Sequence, residues 1–356
     1  NGTAVRSTVV GSTVRLAWQA NTDWDGTGLK YDVYRLQTGG SKELVGSLQQ
    51  DATWWDRPML TMVDKGAKPS TTYQYWARAT DADGNTKDTS WVTVTTGEGR
   101  GETPAVASVF NDGATHYWRM GDATGAAVLD DQLTTAPLTA STGVTAGVAG
   151  AVAGSTDTAV DLNGTSTGFA TAKAAENNTP AVSVETWVKT TSTAGGKLIG
   201  FGSSTGTASS VVDRQLYMTT SGQLAWGVYN GTKKAIGSTK SLNDGQWHHV
   251  VGTLGSDGMK LYVDGVLNSS NAAVTASTVF SGYWHLGCDS LTGWPSAPYT
   301  KCLKATVDET SVYPKALTAG QVAAHFAAAQ PGANKAPVAA FTATAAADGT
   351  IALDAS

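Results

Sequence analysis

Cys288 and Cys302 are the only cysteines of the chain, and between them lie Leu291, Trp294, Pro295, Pro298 and Tyr299. A lone pair without Cys-x-x-Cys spacing reads as a disulfide formed in an oxidising compartment, not as a zinc or redox site. Closing a loop of this length stabilises a chain by about 3 kcal/mol in the chain-entropy model. An aromatic loop pinned at its base suits one kind of chemistry, the stacking of Trp294 or Tyr299 on sugar rings. The alternative is a loop folded back on its own sheet, with Trp294 buried. Tyr217 and Tyr229, with Asp213 and Arg214 nearby, are further candidates for an aromatic and polar ligand groove. That role needs both tyrosines to point outward while Leu224, Trp226 and Val228 face a core.

Other chemistry is poorly provided for. Glycoside hydrolysis needs two carboxyl groups facing each other across a sugar. Glu185 stands alone between Val184 and Trp187, and neighbours such as Asp308 and Glu309 are expected on opposite faces of a strand. No Gly-x-Ser-x-Gly or His-Glu-x-x-His pattern occurs. His248 and His249 are also neighbours on an expected strand and so do not share one ion; packing or a bond to a neighbouring strand is the expected role. Asn21 to Gly26 followed by Asp32 has calcium-loop spacing, but position 1 is Asn and no helices are expected to flank it. With Asp81 and Asp83 it reads more simply as Asp/Gly turns. The chain is therefore expected not to be an enzyme, a catalytic domain elsewhere in a parent protein being left open.

The elements that would position these residues are strands. The 356 residues include 41 Gly, 12 Trp and 11 Tyr, and only 15% are charged, against about 25% in ordinary soluble domains. A net charge of −5 without a basic cluster argues against nucleic acid, and no run of about 18 apolar residues offers a membrane span. Period-2 alternation marks Val14–Trp18, Tyr31–Arg35, Tyr73–Arg78 and Trp91–Val94 as half-buried strands. Asn230-Gly231 and Asp264-Gly265 sit between β runs as hairpin turns. Thr318 to Gln321 has the form of a capping box opening a short helix.

The motifs of residues 1–97, namely Trp18, Tyr31-Asp32-Val33-Tyr34-Arg35 and Thr72-Tyr73-Gln74-Tyr75, resemble a fibronectin type III domain, with Tyr73 as its tyrosine corner. After a linker at 98–104, residues 105–330 carry blocks beginning at His116-Tyr117-Trp118-Arg119, Gly245-Gln246-Trp247-His248-His249, Leu261-Tyr262-Val263-Asp264-Gly265 and Val307-Asp308-Glu309-Thr310. Their order resembles the laminin-G-like, concanavalin A-like jelly roll. After a second linker at 331–336, residues 337–356 resemble the start of a PKD-type β-sandwich, too short to form a core. The fold class is thus all-β, a fibronectin type III sandwich plus a jelly roll with one short C-terminal helix. The jelly-roll resemblance also implies Ca²⁺, held by Asp308 with Asp130, Asp161, Asn163 and the Gly164 carbonyl, the alternative being a solvated Asp308 that caps a bulge or turn.

Together these readings describe the binding or adhesion region of a secreted or cell-surface modular protein, expected to be bacterial and a piece of something larger. Its expected partners are a polysaccharide or cell-surface glycan and other domains of the same parent. Two alternatives share the fold: a structural spacer of an adhesive array, and an accessory region of an extracellular carbohydrate-active enzyme.

Overall fold

Alternation along residues 13–19 places Val14, Leu16 and Trp18 on one side of a strand, and all three are buried. The computed structural model describes residues 4–10, 13–22, 28–53, 57–64, 66–68, 70–96, 103–133, 136–155, 157–330, 341–345 and 351–355. Arg6–Val10, Thr13–Gln19 and Met59–Asp64 form a three-stranded antiparallel sheet with Thr13–Gln19 in the middle. Facing it, Lys42–Gln50, Leu29–Gln37 and Thr72–Thr80 pair in that order, and Thr86–Asp88 and Val92–Thr95 follow on the far side of Thr72–Thr80. Trp18, Tyr31, Val33 and Tyr75 fill the space between the two sheets.

A second pair of sheets follows. The back sheet runs Val144–Ala149, Thr158–Asn163, Lys304–Tyr313, Val182–Lys189, Trp247–Gly255, Gly258–Val263 and Val266–Asn271, with His116–Trp118 added to Lys304–Tyr313. The front sheet runs Val128–Leu129, Leu138–Ala140, Ala170–Ala172, Ser281–Leu286, Gly196–Gly202, Val212–Met218, Leu224–Tyr229 and Lys233–Gly237, with Glu176–Asn177 added to Ser281–Leu286. Trp118, Trp226, Trp284 and Phe201 pack between them in a core separate from the first. Gly252 is required opposite Trp226, because a Cβ there would lie 2.3 Å from the indole ring. Asp264 and Gly265 both adopt positive φ, as a tight hairpin turn of this hand needs.

Two helices complete the described residues, not one. Helix α2, Ala319–Ala328, begins in the expected capping box of Thr318 and Gln321. Helix α1, Pro104–Asn111, replaces the end of the expected linker. Thr103 caps it by accepting from the Val106 N–H, and Pro104 opens it. Neither helix is long and apolar enough to cross a membrane. Residues 97–102 and 331–340 lie outside the described residues. Of the expected PKD-type start, Phe341–Ala345 pairs with Ile351–Ala355 as an antiparallel hairpin.

The helices dock on the outer face of the back sheet through a buried carboxylate. Glu185 is 3% exposed and accepts from Tyr313 Oη at 2.5 Å and Ser311 Oγ at 3.1 Å. His249 Nε2 lies 2.6 Å from it, and His325 Nδ1 of α2 lies 3.0 Å from both of its oxygens. The other His325 nitrogen meets Asp112, at the C-terminus of α1, at 2.9 Å. Burial pushes the Glu185 carboxyl up, but the two imidazoles more than offset it and hold it well below its usual range. For His325, burial opposes the charge, Glu185 and Asp112 more than offset burial, and its pKa is raised to about 9. Because the folded value exceeds the unfolded one, this contribution is fully present below about pH 6.5 and is lost as pH rises through about 9. Unfolding free energy is therefore predicted to fall across that window. His325→Ala should flatten the fall by about 3 kcal/mol, and His116, also raised to about 9, should leave a residual slope. Urea titrations at pH 6, 8 and 9.5 check this, and identical slopes in the two proteins would refute it.

Candidate functional site

The strand Ser281–Leu286 ends at Gly287, whose φ of 87° turns the chain into the cysteine loop. Cys288 and Cys302 are joined as expected, with Cα atoms 4.3 Å apart. The loop lies back on the front sheet. Leu291 and Trp294 are each 4% exposed and pack with Val212, Tyr217 and Ala225. The Trp294 ring rests on Gly227, where a Cβ would come within 2.4 Å of it, so this position excludes any larger residue. Tyr217 is fully buried beneath the loop and donates its hydroxyl to the Pro295 carbonyl. Trp294 and Tyr217 are thus packing residues, because the loop that was a candidate ligand lip covers them. Tyr299 is fully exposed and stands on the wall of a 690 Å³ cleft. Ser166, Thr207, Thr292, Thr300 and Lys301 help to line that cleft. Lys301 Nζ ties two lining segments together, donating to the Thr207 carbonyl at 2.7 Å and to its hydroxyl at 3.0 Å.

Beneath the same loops lies a buried charge pair that sequence reasoning missed. Lys197 and Asp289 have fully buried side chains 3.4 Å apart. Asp289 also accepts from the Ser209 N–H at 2.8 Å and the Ser290 N–H at 2.7 Å, tying the start of the cysteine loop to the connection between Gly196–Gly202 and Val212–Met218. Burial pushes its carboxyl up, but Lys197 and then His285 outweigh burial and leave it below the usual range. His285 is held neutral down to about pH 4, first by burial and then by the Lys197 charge. A lysine inside the otherwise apolar run Gly196–Gly202 was the available signal. Asp213 and Arg214 are also buried, not groove residues. Asp213 accepts the Tyr229 N–H at 2.7 Å, and Arg214, at a φ of 52°, donates to Ser277 Oγ at 3.0 Å. Tyr229 is partly exposed and does not line the cleft. Of the six expected ligand residues, the structure brings only Tyr299 to this cleft.

Residues 163–323 match the model of the concanavalin A-like lectin/glucanases superfamily. The double sheet is a concanavalin A-like jelly roll. No curated protein shows a significant sequence match to the chain. Among solved structures, the chain is similar to a botulinum neurotoxin serotype D binding domain, at 16% identity and a TM-score of 0.45, over 62% of this chain and 52% of that one. It is similar to Trypanosoma rangeli sialidase in complex with sialic acid at 13% identity and a TM-score of 0.44, over 91% of this chain and 52% of that one. A domain of an extracellular arabinanase from Geobacillus stearothermophilus, in complex with arabinotriose, matches at 20% identity and a TM-score of 0.37, over 50% and 79%. The chain spans about half the length of the neurotoxin and sialidase structures.

The residues expected to hold calcium do not gather in the jelly roll. Asn163 spends its amide oxygen on the Thr165 N–H and hydroxyl, each at 2.9 Å. Asp161 Oδ1 takes the Thr306 hydroxyl, and Asp130 is exposed. Gly164 faces the Tyr299 cleft. Asp308 is 1% exposed, and its two oxygens accept the Ala151 N–H at 2.7 Å and the Glu309 N–H at 2.9 Å. A cation is already there: Arg119 pairs with Asp157 and lies 3.3 Å from Glu309. Among the described residues, no group of three or more His, Cys, Asp or Glu is placed to hold a metal ion. Asp308, Asp130 and Asp161 thus do not stand together as one carboxylate group among the described residues.

Asp308 and Glu309 were expected on opposite faces and share one. Val307 pairs with Val188 in the core, Asp308 with Trp187 on the outer face, and Ser311 with Tyr117 on that same outer face. A β-bulge with Glu309 at φ 47° absorbs the extra residue, so both carboxyls turn outward, Glu309 to Arg119 and Asp308 to the Ala151 N–H. Burial, then the neighbouring Glu309 charge, pushes Asp308 well above the usual range. Both side chains lie outside the 690 Å³ cleft. The first-domain calcium spacing falls partly on residues 23–27, outside the described residues. His248 and His249 point apart as expected, to Asp264 and Glu185.

Three outcomes follow. Reducing the disulfide, or replacing both cysteines by serine, should cost about 3 kcal/mol and red-shift tryptophan emission as Trp294 is uncovered. An unchanged denaturation midpoint would show that packing alone holds the loop. Chelator should leave the melting temperature within about one degree. Arg119→Gln, which strands Asp157 and Glu309 without their cation, should cost about 3 kcal/mol. A chelator-induced fall of several degrees would show that an ion is held.

Proposed function

We propose that this chain is a non-catalytic carbohydrate-binding region of a secreted modular protein, with its jelly roll taking a glycan in the Tyr299 cleft. One observation carries the reading. An aromatic ring is held fully exposed by a disulfide-pinned loop, on the wall of a cleft to which Ser166, Thr207, Ser290, Thr292 and Thr300 bring hydroxyls among small apolar residues and Lys301. A flat apolar face beside hydroxyl partners is complementary to a pyranose, which has C–H faces and hydroxyl edges. Pinning the loop before binding lowers the ordering cost that a flexible aromatic would bring. The disulfide supports an oxidising, extracellular setting. The acidic cluster at Asp308 supports a structural role, since its carboxyls are buried and tied to Arg119 and backbone N–H groups.

The N-terminal sandwich reads as a fibronectin type III module. Its support is the three-against-five strand arrangement and the Tyr73 hydroxyl, which accepts the Lys68 N–H at 3.0 Å as a tyrosine corner would. The hairpin of Phe341–Ala345 and Ile351–Ala355 reads as the opening of a further PKD-type sandwich. A second reading, the spacer, draws support from one contact between the sandwiches. The Arg15 guanidinium lies 3.6 Å from the centre of the Phe110 ring, a cation–π contact across the two units.

A glycan array separates the two. The wild-type chain is expected to bind at least one polysaccharide, and Tyr299→Ala to weaken that binding about tenfold with an unchanged melting temperature. Silence of the wild type on every glycan would favour the spacer.

A further inference from the structure

The outer face of the five-stranded sheet in the N-terminal sandwich carries a feature that the jelly-roll cleft does not account for. Register places Leu44, Tyr34 and Trp76 side by side on neighbouring strands, and Trp91 follows in line just before Val92, the partner of Tyr75. The three aromatic rings stack. Tyr34 and Trp76 are 5.5 Å apart at 28°, and Trp76 and Trp91 are 5.4 Å apart at 23°. Trp76 faces away from the sandwich core yet is only 5% exposed, because its neighbours enclose it. Trp91 ends the stack with 57% of its surface exposed, and Leu44 at the other end is equally exposed. The result is an apolar stripe crossing the sheet at right angles to its strands. With strands about 4.8 Å apart, the stripe is roughly 15 Å long and one residue wide.

The rows on either side are mostly polar. On one side Ser47, Asp32, Arg78 and Asp88 lie in register. Asp32 is paired with Lys30 at 3.0 Å and Arg78 with Asp88 at 2.7 Å. On the other side lie Lys42, Leu36, Gln74 and Thr93, with the Lys42 ammonium 4.3 Å from the centre of the Tyr34 ring. Inside the stripe the Trp76 indole N–H is buried and has no acceptor. A buried donor left without a partner is uncommon and costly. A sheet face that served only solvent would not carry these features together.

We propose that this stripe is a second carbohydrate-binding surface, for an extended neutral polysaccharide. Ring faces stacked along a line match the C–H faces of successive sugars, as Trp91 and its neighbours would match an unbranched chain. Hydroxyls at the sugar edges meet the flanking rows, where Lys30 and Arg78 cancel Asp32 and Asp88 and only Lys42, held over the Tyr34 ring, is left over, too little charge to select an acidic polymer. The stripe is too narrow, and too closely flanked by ion pairs, for the broad apolar centre of a protein–protein contact.

The test reads this face alone by starting from the full chain carrying Tyr299→Ala. Depletion from solution is measured on insoluble cellulose, chitin, xylan and β-1,3-glucan. Retention on at least one of them is expected. Trp91→Ala should reduce it about tenfold, and Trp91→Phe, which keeps a flat ring, should restore most of it. No retention on any of the four polymers would overturn the proposal, as would equal retention with Trp91→Ala. It would also be overturned if sedimentation showed self-association that Trp91→Ala abolishes, for the stripe would then join two copies of the chain. Loss of all binding on Tyr299→Ala alone would sink the stripe and leave the jelly-roll cleft standing.

Discussion

A buried charge has to be paired, and in the jelly roll this constraint decides what covers each sheet. An isolated carboxylate in an apolar interior is very costly, so it persists only inside a shell of donors. Glu185 gathers two imidazoles and two hydroxyls, and one imidazole comes from a helix more than a hundred residues later. The helices are therefore parts of the ion's coordination as much as apolar packing. On the opposite side, Lys197 and Asp289 place the same demand on the loops above the front sheet. Lifting either cover would expose an ion that had been matched to protein partners.

Such a cover divides the labour of one loop. The chain from Cys288 to Cys302 sends Trp294 down onto Gly227 and Tyr299 out into solvent. The buried ring anchors the loop and the bond between the cysteines closes it, so the exposed ring keeps its place without contacts of its own. Rigidity at the wall of the cleft is thus supplied from below.

Much of this architecture could be read from the residues alone. Alternation located the strands, because a half-buried strand leaves a period of two in its sequence. The helix after Thr318 was legible because Gln321 completes a cap that depends only on neighbours. Helix α1 was missed although Thr103-Pro104 announced it, since eight residues leave too short a pattern to stand out. The burial of Tyr217, Asp213 and Arg214 was not legible, because what covers them lies far along the chain. Asp308 and Glu309 broke the alternation rule itself. One extra residue in the strand, taken up at a positive φ, rotates the second carboxyl to the side of the first. Beside that pair, Arg119 supplies a positive charge from within the chain.

The position of α2 bears on how the jelly roll responds to tension. The chain leaves the domain through this helix, and His325 on it is gripped by Glu185 and Asp112. Behind it, Lys304–Tyr313 is hydrogen-bonded to strands on both of its edges. A pull on the following residues must first extract an imidazole from between two acids and then tear a central strand from two neighbours at once. The exit of the domain is thus anchored by a buried ion and a central strand, not by an edge strand.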